Sequence, residues 1–183
     1  MSTRAFLLVG TAAVLLAGAS TAALAAASGA FRDASVRSVG QCSTPALAGS
    51  VVDVSLTNMM NGQMGRGWMT GGSMRVVTST DHVSAGTVSF RVANMGTLVH
   101  ELVVLPLPAT QIAGNRVATI DGRVDEMGSL GEVSNTCARG AGTGLSPGTV
   151  GWVTLQLPPG NYELFCDIAG HYAAGMYVEL TVS

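Results

Sequence analysis

From residue 50 onward, apolar side chains recur at every second position in short runs separated by turn residues. The run "VVDVSLTNM" (51–59) alternates in this way. "GTVSFRVANMG" (86–96) does so more clearly, with Val88, Phe90 and Val92 on one face and Ser89, Arg91 and Ala93 on the other. This period of two is the mark of a half-buried strand. "LVHELVVLPLP" (98–108) is instead a continuous apolar run closed by prolines, as an inner strand would be. "WVTLQLPPGNYELFC" (152–166) reads as strand, Pro-Pro-Gly-Asn turn and strand, and "MYVELTVS" (176–183) as the last strand. The forty-odd residues before Gly151 hold few large apolar side chains and many glycines, which predicts loop with at most a short helix. No segment longer than about ten residues in this part has apolar positions at helical spacing. The pattern predicts an all-β sandwich.

Residues 1–27 follow a different rule. One Arg4 precedes an uncharged apolar stretch that ends in the small residues Ala23-Leu24-Ala25, the layout of an export signal cut near Ala25 or Ala27. The same stretch is long enough to span a bilayer, so an uncleaved membrane anchor is the rival reading. Both place the folded part outside the cytoplasm: periplasmic, secreted or at the cell surface. Residues 28–49 form a polar, small-residue lead-in, and residues 50–183 form one domain interrupted by a Met/Gly-rich loop at 58–74. Charged residues make up 11% of the chain and the net charge is −2. No basic stripe is available to grip phosphates, which argues against nucleic acid as a partner.

Candidate chemistry concentrates near the C-terminus. In "CDIAGHYAAGM" (166–176) a thiol, an imidazole and a thioether follow at even steps: Cys166, His171 and Met176. Strand parity puts Cys166 in phase with Tyr162 and Leu164, and Met176 in phase with Val178, Leu180 and Val182, so both sulfurs point into one end of the core. A loop carrying Cys, His and Met, joined by a His on a neighbouring strand, supplies a trigonal His2Cys copper site with a long axial Met. His100 is the natural fourth member. The thiolate suits both copper oxidation states, the imidazoles hold Cu(II), and the thioether favours Cu(I).

Asn94-x-Gly96-x3-His100 followed by Cys166-x4-His171-x4-Met176 resembles the blue copper proteins, the cupredoxins. The long Cys-to-His and His-to-Met spacings resemble sulfocyanin and rusticyanin more than plastocyanin. The resemblance covers roughly residues 50–183. It implies a Greek-key β-sandwich with one type 1 copper per chain. It also implies an electron carrier, not an enzyme, serving redox protein partners such as a membrane oxidase or a cytochrome-like protein. Membrane association is possible through the N-terminal segment. One position departs from the family: many members carry Asn after the first ligand His, where it ties the ligand loops together, and this chain has Glu101. The bond that orients His100 must then be made differently.

Each residue also has an ordinary reading. His100 could be a satisfied strand histidine, His171 a turn histidine, Met176 a core residue and Cys166 an inert buried thiol; the joint pattern is what favours ligands. Among three cysteines in an exported chain, a Cys42–Cys137 disulfide would leave Cys166 free for metal. His82, in a polar turn, is expected to be exposed and unliganded. With His100 and His171 used, too few histidines remain for a multicopper oxidase or a copper nitrite reductase. The loop 58–74 holds five of the nine methionines (Met59, Met60, Met64, Met69 and Met74). Thioethers favour Cu(I), which supports the alternative of a copper-binding or delivery protein; the ordinary reading is adaptable apolar cover. Tyr172, Ala173 and Ala174 around His171 are expected to form a modest apolar docking patch, with little electrostatic steering.

Overall fold

The computed structural model describes residues 42–58 and 74–183. The expected export segment, the lead-in before Cys42, and all of the Met/Gly-rich loop except its end residues Asn58 and Met74 lie outside the described residues.

Nine strands are described: β1 (Ser50–Asn58), β2 (Met74–Thr78), β3 (His82–Val83), β4 (Gly86–Asn94), β5 (Leu102–Leu107), β6 (Gly131–Val133), β7 (Val150–Leu157), β8 (Gly160–Phe165) and β9 (Tyr177–Val182). They form two sheets, ordered β2-β1-β4-β7 and β3-β9-β8-β5-β6. Both are mixed: β1 runs parallel to β4, and β3 parallel to β9, while the other pairs are antiparallel. The all-β sandwich expected from the alternation is therefore the fold.

The inward residues are those the pattern selects. Val52, Val54 and Leu56 of β1 and Val88, Phe90 and Val92 of β4 meet Leu102 and Val104 of β5, Tyr162 and Leu164 of β8, and Leu180 and Val182 of β9. Cys166 and Met176 lie in this same cluster, both fully buried, as parity requires.

The sheet containing β5 and β8 is covered on both faces. Val103, Leu105 and Phe165 point away from the main core into a second cluster with Val124 and Tyr172, and Tyr177 packs against it. This explains why β5 reads as a continuous apolar run: alternation disappears when both faces are buried. It also explains Glu163, on the outer face of β8 and fully buried, where alternation alone predicts an exposed position. Among the described residues, the segment before Gly151 contains one three-residue strand, β6, and no helix. The strands β2, β3 and β6 escape the sequence pattern because two to five residues are too few to show a period. The turn at Pro158-Pro159 carries the chain from one sheet to the other, since β7 and β8 do not pair.

Cys42 and Cys137 form a disulfide, leaving Cys166 as a buried free thiol. His82 is exposed, and its Nε2 lies 2.7 Å from Ser183 Oγ. It occupies the short strand β3 and not a turn, because β9 offers it a parallel edge.

Candidate metal centre

Three separate parts of the chain deliver the donor atoms. His100 sits just before β5, held by a two-way backbone bridge: its N–H donates to Leu145 O (3.2 Å) and its carbonyl accepts from Leu145 N (2.7 Å). Cys166 follows β8 directly, and its N–H donates to Met176 O at 3.1 Å. The ligand loop thus closes on itself, with Cys166 and Met176 paired at its base. Between them, the N–H of His171 donates to Ile168 O (2.9 Å), and Met176 N–H donates to His171 O (3.2 Å). The even four-residue steps therefore form a tight coil that folds His171 back over the pair.

His100 Nδ1 lies 3.2 Å from His171 Nδ1, which lies 3.3 Å from Cys166 Sγ. The donor atoms of His100, Cys166 and His171 all fall within 4.8 Å of one another. Two nitrogens each about 2 Å from one first-row ion stand roughly 3.4 Å apart, close to the separation observed. Met176 completes the group as a fully buried neighbour of Cys166 in the same core cluster.

The electrostatics fit a cation. Burial, reinforced by the proximity of His171, lowers the pKa of His100 to about 4, and burial also lowers that of His171. Both rings are therefore neutral donors at physiological pH. Burial raises the Cys166 thiol to about 12. A thiolate in this dry place requires a positive partner that the surrounding side chains do not supply, and a bound metal ion would supply it. The Glu101 backbone N–H also points at Cys166 Sγ, at 3.4 Å.

Sequence reasoning brought together His100, Cys166, His171 and Met176 but missed what holds them. Asn58, the last residue of β1, takes His100 Nε2 at 3.1 Å on its Oδ1. Asn94 donates to Leu98 O (2.7 Å) and Leu145 O (2.8 Å), and its Oδ1 accepts from Gly96 N (2.9 Å). It ties the turn before His100 to the segment that bridges His100, although Glu101 occupies the position where many family members carry Asn. The signal for Asn58 is absent from the sequence because 42 residues separate it from His100; only the parallel β1–β4 register, Leu56 opposite Asn94, brings them level.

A carboxylate group flanks the site: oxygens of Glu101, Glu126 and Asp167 lie within 4.8 Å of one another. Burial, then the charge of Asp167, raises Glu126 to about 7. Asp167 is held by the Val124 N–H (2.5 Å) and lies 3.6 Å from Arg123 Nη1.

The docking patch expected around His171 is corrected at Tyr172, which is buried and not exposed. Its hydroxyl donates to Glu163 Oε1 at 2.7 Å, and its ring packs edge-on to Phe165. A tyrosine beside a buried carboxylate gains more from that hydrogen bond than from facing solvent. Ala173 is exposed and His171 is 7% exposed. Met95, Leu98 and Val99, in the turn before His100, supply the exposed apolar surface near the site.

A two-sheet β-sandwich with two imidazoles, a thiol and a thioether gathered at one end of the core defines a cupredoxin, the class that carries a single type 1 copper. The family model for the sulfocyanin (SoxE) domain matches residues 51–183, and the chain belongs to that family. Among solved structures it is similar to the dithionite-reduced auracyanin of the photosynthetic bacterium Roseiflexus castenholzii. That match has 17% identity and a TM-score of 0.44, covering 75% of this chain and 99% of that one. It is also similar to rusticyanin from Thiobacillus ferrooxidans, with 18% identity and a TM-score of 0.43, covering 85% of this chain and 93% of that one. No curated protein sequence matches it.

Proposed function

We propose that this protein carries single electrons between redox proteins outside the cytoplasmic membrane, with its copper held by His100, Cys166, His171 and Met176. The observation that carries the reading is the convergence of two imidazole Nδ1 atoms on a buried thiol, 3.2 and 3.3 Å apart in sequence from His100 to His171 to Cys166. Copper, when bound, supplies the Cu(I)/Cu(II) couple. The protein's part is to keep the donors fixed and dry. His100 is clamped through Leu145 and Asn58, Cys166 and Met176 are joined at the base of the loop, and His171 is coiled between them. Donors held this way have little room to rearrange when the charge of the site changes. His171 is the ligand nearest solvent, so its edge is the route by which an electron reaches a partner docked over Met95, Leu98, Val99 and Ala173. The patch carries no charge of its own, so docking there depends on apolar contact.

The domain plan we favour has an export segment or membrane anchor at residues 1–27, a lead-in at 28–49 and a cupredoxin domain at 50–183; the family match over residues 51–183 supports the last of these. The partners are redox proteins of the membrane or exported space, supported by the export-like N-terminus.

The test is the spectrum of the copper-loaded protein. A His2Cys site gives an intense blue thiolate-to-copper absorption, and Cys166→Ser should abolish it while leaving the β circular dichroism intact. A serine variant that stays blue would remove Cys166 from the site.

A further inference from the structure

We infer that Asn58 sets the tautomer of His100, fixing the ring proton on Nε2 and leaving the Nδ1 lone pair free to face Cys166 and His171. The inference rests on the reading of His100 as a ligand, but its logic is independent of any metal.

Asn58 Oδ1 is met by three nitrogens: the backbone N–H of Thr97 at 2.8 Å, the backbone N–H of Leu98 at 3.3 Å, and His100 Nε2 at 3.1 Å. Backbone amides can only donate, so the atom facing them is the amide oxygen. The other end of the amide agrees, since Nδ2 donates to Thr97 Oγ1 at 2.9 Å. An amide side chain is usually assigned from such a network, and here two obligatory donors decide it. With oxygen facing the ring, His100 Nε2 must carry the proton. A neutral imidazole has one N–H and one lone pair. The lone pair therefore falls on Nδ1, the atom 3.2 Å from His171 Nδ1.

A second observation comes from Gly96. A Cβ on this residue would lie 2.0 Å from Asn58 Oδ1 and 2.8 Å from His100 Nε2. Its backbone passes directly over the hydrogen bond, and only a residue without a side chain leaves that bond room to form. Gly96 is itself fixed by its N–H to Asn94 Oδ1. The spacing Asn94-x-Gly96-x3-His100 is thus the cover of a clamp whose other jaw, Asn58, comes from a different strand. A ligand histidine is usually oriented through its second ring nitrogen by a carboxylate or carbonyl, and losing that partner typically reduces metal affinity about 10–100-fold. In this chain a side-chain amide from β1 takes that role.

The experiment is a two-bond proton–nitrogen correlation spectrum of the imidazoles in 15N-labelled, copper-free protein, paired with Cu(II) titration. The wild-type His100 should show a protonated Nε2 and an unprotonated Nδ1. Asn58→Leu should lose the single tautomer and bind Cu(II) about 10–100-fold more weakly. Asn58→Asp keeps an oxygen acceptor and should retain both the tautomer and most of the affinity. Gly96→Ala should reproduce the Asn58→Leu defect with Asn58 still present. A proton on Nδ1 in the wild type would overturn the inference, as would an Asn58→Leu protein with unchanged tautomer and affinity. Failure of the ligand reading looks different: the wild type would show the Nε2 tautomer yet form no blue copper complex.

Discussion

Replacing Arg116 with Met tests how far the ligand loop depends on an ion pair beneath it. Glu163 is fully buried, and its Oε2 accepts from Arg116 Nε at 2.5 Å. Its Oε1 accepts from Gly114 N and Tyr172 OH, each at 2.7 Å. Arg116 is only 15% exposed, and its Nη2 also donates to Pro106 O. Methionine keeps most of the aliphatic stem, so the change removes charge more than volume. Breaking a buried pair and leaving the partner charged costs about 3–5 kcal/mol. Two donors stay on the carboxylate, which favours the lower end, about 3 kcal/mol. Against a typical total stability of about 5–15 kcal/mol this is a large loss. With a urea m-value of about 2 kcal/mol/M, the unfolding midpoint of the copper-free protein at pH 7 should fall by about 1.5 M. Copper is left out because a ligand that binds only the folded state would mask the loss. Adding Glu163→Gln to Arg116→Met removes the stranded charge yet keeps an oxygen for Gly114 and Tyr172, and should restore about 2 kcal/mol. A midpoint shift below about 0.3 M, or a double variant no more stable than the single, would refute the reasoning.

Met176→Gln should keep copper and colour but lower the reduction potential, since an oxygen donor stabilises Cu(II); voltammetry showing an unchanged or higher potential would remove Met176 from the axial role. Glu126, raised from 4.5 to about 7 by burial and by Asp167, holds a proton in the folded state that the unfolded chain releases. Stability from this group is therefore lost as pH rises through that window. Thermal melts of copper-free Glu126→Gln should be flatter between pH 4.5 and 7 than those of the wild type, and parallel slopes would contradict the assignment. Ala173→Glu places a charge on the exposed surface beside His171 without touching a ligand. It should leave the visible spectrum intact and slow electron exchange with a partner protein in stopped flow; unaltered exchange would move the port elsewhere.

The sandwich was legible because Val88, Phe90 and Val92 alternate with polar neighbours on a strand that has only one side in the core. The four candidate ligands were legible because three lie within eleven residues whose strand phase is fixed at both ends. What could not be read depends on contacts between distant segments. Glu163 looks like a solvent-facing residue until the segment carrying Gly114 and Arg116 is known to cover it. Tyr172 looks like part of an exposed loop until that buried carboxylate offers it an acceptor. Asn58 is an ordinary strand-end asparagine until β1 is set beside β4. Periodicity reports which face a side chain takes, but not what arrives from elsewhere to cover the face left over.

The burial of Cys166 has a consequence for how the chain matures. The thiol has no exposed surface, and its proton is held up to about 12. Disulfide exchange and oxidation both proceed through an accessible thiolate, and the folded, copper-free protein offers neither access nor charge. Once the sandwich closes, Cys166 is kinetically protected from pairing with Cys42 or Cys137 and from irreversible oxidation. The vulnerable interval is confined to the time before folding, when all three sulfurs are open to one another. The Cys42–Cys137 bridge, spanning 95 residues of sequence, is the arrangement that leaves Cys166 as the free thiol. Folding thus shuts Cys166 away from the oxidation chemistry open to it in the unfolded chain.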